Sequence, residues 1–238
     1  NPGDEVIIPS PYWVSYSELI KLTGAIPVVI PTEEATGFKL NAQQLRQALT
    51  PKTRVLLLCT PSNPTGTFYT KSELEGLADV VLDADLTVVA DEIYDRLVYT
   101  AEPFTSFPTV RAGLQERTIL INGVSKTYAM TGWRIGWAIA PNLGVAKAMA
   151  DLQSQETSNP CSISQYAALA ALRGPQDCVE TMRREFARRR DYVTERIADI
   201  PSVTCAPMQG AFYAFINISR HLGKRYGGVL VENSSQWC

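Results

Sequence analysis

Val55-Leu56-Leu57-Leu58-Cys59-Thr60-Pro61-Ser62-Asn63-Pro64-Thr65-Gly66 is the stretch that decides how this chain folds. Five apolar residues in succession leave no polar face. The strand they predict therefore belongs to a sheet covered on both sides, as parallel sheets are. The run empties into a proline-rich loop. There Asn63 precedes Pro64, which pushes its backbone to an extended form and presents its amide from a fixed loop. A plain Asn-Pro turn is the other reading of the same residues.

Working outward, the pattern repeats. Upstream, the turn Asn1-Pro2-Gly3-Asp4 opens a strand at Glu5 to Ile8, and a helix around Val14 to Leu22 ends at Gly24. A strand at Ile26 to Ile30 follows, then a helix from Ala42 to Leu49 with Asn41 as its N-cap and Pro51 after its stop. Downstream, Thr70 and Glu73 form a capping-box pattern for a helix to about Ala84. Leu86 to Ala90 and Thr118 to Ile121 are further buried strands. Ile135 to Ala140 follows so closely that it must pair antiparallel, because a parallel crossover needs about a dozen residues or more. Helices are predicted from Asn142 to about Gln155, from Ser162 to Leu172, and from Pro175 to Ile200, and a strand from Ala211 to Ile216. The long helix is rich in arginine, but interleaved Glu180, Glu185, Asp191 and Glu195 mark a solvated, self-paired face. From Ser219 onward the periodicity fades. The expected class is α/β: a mostly parallel sheet with helices on both faces, plus a partial α+β small domain. The expected divisions are a large domain over 1–174, a linking helix over 175–200 and part of a small domain over 201–238.

Composition narrows the chemistry. The 238 residues are 45% hydrophobic and 19% charged, an ordinary globular balance. A net charge of -2 gives no general attraction to nucleic acid or to an anionic membrane surface. No apolar run approaches the roughly 18 residues needed to span a bilayer. Five scattered cysteines without a CxxC pair fit a reducing compartment, and the expected location is cytoplasmic. His221 is the only histidine and lies in a polar stretch near the end. Histidine triads and HExxH zinc sites are thus poorly served, and no metal site is expected. Acid–base work falls to Lys, Tyr, Asp, Glu or a cofactor.

In parallel sheets ligands bind beyond the carboxyl ends of the strands. Three strand exits carry polar residues: Asn63 after one, Asp91 and Tyr94 after the next, Lys126 after the third. Asp91 ends the mostly apolar run Leu86 to Ala90, so its carboxylate is partly buried and needs a partner. It either pairs with a protonated ring nitrogen or caps the segment after it. Tyr94 shares that face, unless it packs in the core with a satisfied hydroxyl. Lys126 sits in Asn122-Gly-Val-Ser-Lys-Thr-Tyr-Ala-Met-Thr-Gly-Trp-Arg-Ile-Gly136, flanked by Ser125 and Thr127, with Arg134 downstream between Gly132 and Gly136. Glycines beside a cation let the backbone approach a bound anion. A desolvated lysine near another cation becomes nucleophilic toward carbonyls. Trp13, at the first strand's exit, can stack on a flat ring or sit in the core. An amine for a Schiff base, a carboxylate for a pyridinium nitrogen, Arg and hydroxyls for a phosphate, and an aromatic plate together describe a pyridoxal phosphate site.

The motifs Pro9-Ser-Pro-Tyr-Trp-Val-Ser-Tyr16, Asn63-Pro-Thr-Gly66, Asp91-Glu-Ile-Tyr94 and Ser125-Lys-Thr-Tyr-Ala-Met-Thr-Gly-Trp-Arg-Ile-Gly136 resemble, in order, those of the class I/II aminotransferases. These belong to the aspartate aminotransferase superfamily of fold type I, and the match is closest to the bacterial-type, cyanobacterial-looking aspartate and prephenate branch. The resemblance runs from Asn1 to about Ser219. It implies transfer of an amino group between an amino acid, aspartate or a relative, and a 2-oxo acid, in a homodimeric parent. Within the same fold, a carbon–sulfur lyase or aminocyclopropane-carboxylate synthase, or a non-catalytic cofactor-binding module, would use the same core. By resemblance, Lys126 carries the cofactor and shuttles the proton, Asp91 faces the ring nitrogen, and Tyr94 and Asn63 bind the 3-oxygen. Trp13 stacks on the ring and Arg134 binds the phosphate. Gly123 stands where many relatives have a phosphate-binding hydroxyl, so Ser125 is the expected substitute. The family's N-terminal phosphate loop, a tyrosine donated across the dimer and a carboxylate-binding arginine do not occur in this stretch. Little transamination is therefore expected of residues 1–238 alone.

Overall fold

In the computed structural model, which describes residues 1–237, the chain opens with β1 (Glu5–Ser10), α1 (Ser15–Leu22), β2 (Ile26–Pro31), α2 (Ala42–Ala48) and β3 (Thr53–Cys59). It continues through α3 (Lys71–Asp83), β4 (Thr87–Asp91), β5 (Thr118–Gly123), the single turn α4 (Val124–Thr127) and β6 (Gly136–Ile139). Six strands form one sheet in the order β2-β1-β3-β4-β5-β6. All neighbours are parallel except β5 and β6, which run antiparallel as the short connection requires.

Alternation along the strands divides the core. Ile7, Leu56, Leu58, Val88 and Ala90 point to the face covered by Leu45 of α2 and by Leu74, Leu77, Ala78 and Val81 of α3. Their neighbours Val6 and Ile8, with Val55 and Leu57, point to the other face and meet Ile20 of α1. Both predicted caps are present. Asn41 and Gln44 exchange hydrogen bonds at the start of α2, as do Thr70 and Glu73 at the start of α3.

The second half is helical: α5 (Leu143–Glu156), α6 (Ser162–Arg173) and the long α7 (Asp177–Ala198). Two-residue strands β7 (Thr204–Cys205) and β8 (Ile216–Asn217) pair antiparallel. A hairpin of β9 (Arg225–Tyr226) and β10 (Val229–Leu230) and a short α8 (Ser234–Trp237) follow. His221 is buried there, with Nε2 3.0 Å from the Pro201 carbonyl and Nδ1 2.6 Å from the Tyr226 hydroxyl.

One predicted element does not form. Residues 211–216 are not a strand; only Ile216 joins one. Gln209 and Gly210 donate their N–H groups to the Gly66 carbonyl, Ala211 donates to Leu97, and Ala211 adopts a left-handed φ of 55°. These long-range bonds replace the ladder expected of a strand there. Among the described residues no helix is long and apolar enough to cross a membrane.

Candidate active site

From β1 the chain turns to one side to make β2 and to the other to make β3, so the topology reverses between β1 and β3. Ligands bind at such a switch point, outside the carboxyl ends of the strands. A cleft of about 470 Å³ opens there, within the range of small-ligand sites. Its walls include Trp13 after β1, Asn63 after β3, Asp91 and Tyr94 after β4, and Ser125, Lys126 and Arg134 after β5. Every residue expected of the site is therefore brought to one cavity.

Asp91 ends β4 with its carboxylate mostly buried. Burial pushes its pKa up, while a hydrogen bond from Tyr16, the Ile93 N–H and the charge of Lys126 pull it down. The Tyr16 hydroxyl donates to Oδ2 at 2.6 Å and the Ile93 N–H to Oδ1 at 3.2 Å. The second bond is the capping contact considered for Asp91, but it closes a turn, not a helix. Burial is the largest of these effects and leaves the carboxyl above its ordinary value, with the two donors and the cation offsetting part of the rise. Tyr16 was legible only as part of a motif. Its position three residues after Trp13, on the inner side of α1, is the signal that could have found it. Cys59 lies directly opposite Asp91 in the β3–β4 register, and burial pushes its thiol up to about 12. A neutral thiol beside the carboxylate adds no charge to it.

Lys126 projects from α4. Its ammonium lies 5.9 Å from the Tyr94 ring centroid and 5.5 Å from that of Phe212. Tyr94 is buried, and its hydroxyl is 2.6 Å from that of Tyr213. Phe212 and Tyr213 belong to the segment predicted as a strand, and no local pattern announced them as site residues. Beside Lys126, Thr127 donates to Asp95 at 3.4 Å, tying α4 to the turn after β4. Burial raises the Asp95 carboxyl, opposed by Arg96, Asn122 and Thr127.

Arg134 has a left-handed backbone, φ 55°, and its Nη1 donates to the Thr131 carbonyl at 2.8 Å. Of the two glycines around it, Gly136 differs from expectation. A Cβ on Gly132 would meet nothing within 4 Å, so backbone there faces open space. Gly136 instead sits in β6, where a Cβ would be 3.1 Å from the Asn122 carbonyl, a packing role within the sheet. At Gly123 a Cβ would lie 2.9 Å from the Ile135 carbonyl and 3.0 Å from the Gly136 Cα. No hydroxyl-bearing side chain fits at 123 on this backbone, which leaves Ser125 and Thr131 as the hydroxyls on that wall. Trp13 is not a core residue: it is 43% exposed at the cleft, edge-on to Tyr16 at 5.4 Å.

A mostly parallel sheet covered on both faces, with a lysine and a partly buried aspartate at neighbouring strand exits, is the arrangement of a pyridoxal phosphate enzyme fold of type I. A model of the aminotransferase class I and II family matches residues 1–235, and the chain belongs to that family. It is 48% identical over 229 residues to the aspartate/prephenate aminotransferase of Cereibacter sphaeroides, covering 96% of this chain and 57% of that protein. It is 49% identical over 215 residues to the aspartate aminotransferase of Geobacillus stearothermophilus, covering 90% and 54%. The crystal structure of the aspartate aminotransferase from Rhizobium meliloti superposes with a TM-score of 0.95 at 42% identity, over 100% of this chain and 60% of that one. The chain thus spans about half the length of the curated relatives it matches.

Enzymes of this family use pyridoxal phosphate. The donor set fits that group: a partly buried carboxylate for a ring N–H, a phenol and an amide for a ring oxygen, a primary amine for a carbonyl carbon, and a guanidinium with a serine for a phosphate.

Proposed function

We propose that the protein carrying this chain is a pyridoxal phosphate-dependent aminotransferase that exchanges an amino group between aspartate, or a closely related amino acid, and a 2-oxo acid. The observation that carries the reading is the placement of Lys126, Asp91, Asn63, Tyr94 and Arg134, from three strand exits and the loop beyond, around one cleft. When bound, pyridoxal phosphate supplies a carbonyl carbon for an amine and a protonated ring that accepts an electron pair. Lys126 Nζ would hold the group and, once the substrate amine has taken its place and freed it, would move the proton of the substrate α-carbon. The Asp91 carboxylate would face the ring nitrogen and share its proton, and the Tyr16 hydroxyl offsets part of the cost of burying that carboxylate. Tyr94 and Asn63 donate to the 3-oxygen. Arg134 and Ser125 hold the phosphate, with the Arg134–Thr131 bond orienting the guanidinium. Trp13 covers one ring face and shields it from water. Residues 1–174 form the cofactor domain in this reading, 175–200 the linking helix and 201–238 part of the small domain. The whole protein works as a cytoplasmic homodimer.

Borohydride reduction after adding pyridoxal phosphate tests this directly. One labelled peptide, containing Lys126, is expected, and Lys126→Ala should abolish it. Labelling that persists in Lys126→Ala, or maps to Lys147, which is exposed and paired with Asp151 at 2.6 Å, overturns the assignment.

A further inference from the structure

The mechanism above uses the Tyr94 hydroxyl but leaves its partner without a role. We propose that Tyr213 is a positioning residue for Tyr94: it holds that hydroxyl in one orientation and strengthens it as a donor toward the group beside Lys126. The inference rests on the function proposed above.

The contact is built, not incidental. Tyr213 reaches the cleft on a strap, residues 209–213, from beyond α7. Gln209 and Gly210 both donate to the Gly66 carbonyl, at 2.8 and 2.9 Å, and Ala211 donates to Leu97 at 2.9 Å. The Tyr99 N–H donates to the Gln209 carbonyl at 2.9 Å, and the Tyr99 hydroxyl donates to Ala211. The fit leaves no slack. A Cβ on Gly66 would lie 2.8 Å from the Tyr213 carbonyl, and one on Gly210 would lie 2.6 Å from Pro61. Gly66 itself has φ +70°, which a side chain would also strain. The strap is thereby locked to the loop that carries Asn63. Tyr213 then meets Tyr94 edge-on, with ring centroids 5.8 Å apart at 81° and hydroxyls 2.6 Å apart.

A hydroxyl pair shares one proton and leaves one over. With an acceptor beside Lys126, Tyr213 donates to Tyr94 and Tyr94 donates onward. Chained hydrogen bonds polarise one another, so Tyr94 becomes the stronger donor. The other titratable groups around the Tyr94 hydroxyl are Asp91, Cys59 and Lys126. None of the three stands in for Tyr213, because Asp91 is engaged by Tyr16, Cys59 by the Pro61 carbonyl at 3.5 Å, and Lys126 by the cofactor.

A donor that pulls on the 3-oxygen loosens that oxygen's hold on the proton it shares with the Lys126 nitrogen. The proton then leaves at lower pH. The experiment is a spectrophotometric pH titration of the cofactor-loaded protein. Tyr213→Phe keeps the ring and should raise the absorbance midpoint by roughly 0.5–1 pH unit, the worth of one neutral hydrogen bond. Tyr94→Phe should raise it further. Adding Tyr213→Phe to Tyr94→Phe should change nothing more, since Tyr213 acts through Tyr94. If Tyr213→Phe misfolds, 3-fluorotyrosine at 213, a more acidic donor, should lower the midpoint instead. An unmoved midpoint in Tyr213→Phe, or an equal shift with and without the Tyr94 hydroxyl, overturns the proposal. Failure of the parent protein to form the coloured Lys126 linkage overturns the functional reading itself.

Discussion

Leu77 on α3 and Leu152 on α5 are the same residue in the same kind of element, yet the first is fully buried and the second is 62% exposed. The contrast extends to their regions. α3 buries Leu74, Leu77, Ala78, Val80 and Val81 against the sheet, whereas α5 buries nothing among the described residues. α6 buries only Ala168, and the 22 residues of α7 bury only Val179 and Ile197. The sheet and its first three helices therefore hold themselves together through apolar area removed from water. Of the later helices, α5 carries the Lys147–Asp151 pair and α7 a series of arginine–carboxylate pairs, and α7 touches the site through few groups. Met182 and Phe186 pack on the cluster of Tyr94, Leu97 and Ala211, and Phe186 stacks on Phe212. Changes on the first region should register as stability, and changes on the exposed faces of the second as very little.

The sharpest way to break that comparison is a matched pair of truncations. Leu77→Ala should cost about 2–5 kcal/mol, because the cavity cannot fully collapse within a packed core. Leu152→Ala should stay within about 0.5 kcal/mol. Urea unfolding of both variants decides it, and equal losses would mean that α5 is covered in solution.

A somewhat smaller effect is expected at Glu92, which is buried in the turn after β4 and accepts from the Phe107 N–H at 2.8 Å. Burial pushes its carboxyl up to about 7. A raised carboxyl stabilises the fold fully below its unfolded value, and that stability is lost as pH rises through the folded value. Glu92→Gln retains an acceptor for Phe107 and cannot ionise. It should match the parent near pH 4 and exceed it by about 3 kcal/mol near pH 8. Unfolding measured at both pH values checks the sign, and a constant difference would place Glu92 in contact with water.

The smallest effect belongs to α7. Arg188 and Arg189 hold Glu185 down to about 2, and Arg183 and Arg184 do the same for Glu180. These pairs are solvent-exposed, and such pairs are screened. Glu185→Gln should leave the thermal midpoint unchanged at physiological salt, as differential scanning fluorimetry would report.

Short-range chemistry was enough for most of the architecture. Capping boxes at Asn41/Gln44 and Thr70/Glu73 are exchanges between residues three apart, and they can be read because nothing distant is needed to make them. The apolar run 55–59 can be read as a doubly covered strand for the same reason. Strand exits carrying Asn63, Asp91, Tyr94 and Lys126 follow from it, since parallel strands deliver their carboxyl ends to one edge. What tertiary structure alone decided is who meets whom across the chain. Tyr16 reaches Asp91 over 75 residues, and Tyr213 reaches Tyr94 over 119. The apolar, aromatic-rich run of residues 211–216 favours a strand locally, but bonds from residues 209–211 to Gly66 and Leu97 outcompete that preference. A backbone N–H buried against a neighbouring loop must find an acceptor there, and the location of that acceptor is a property of the fold and not of any window of sequence.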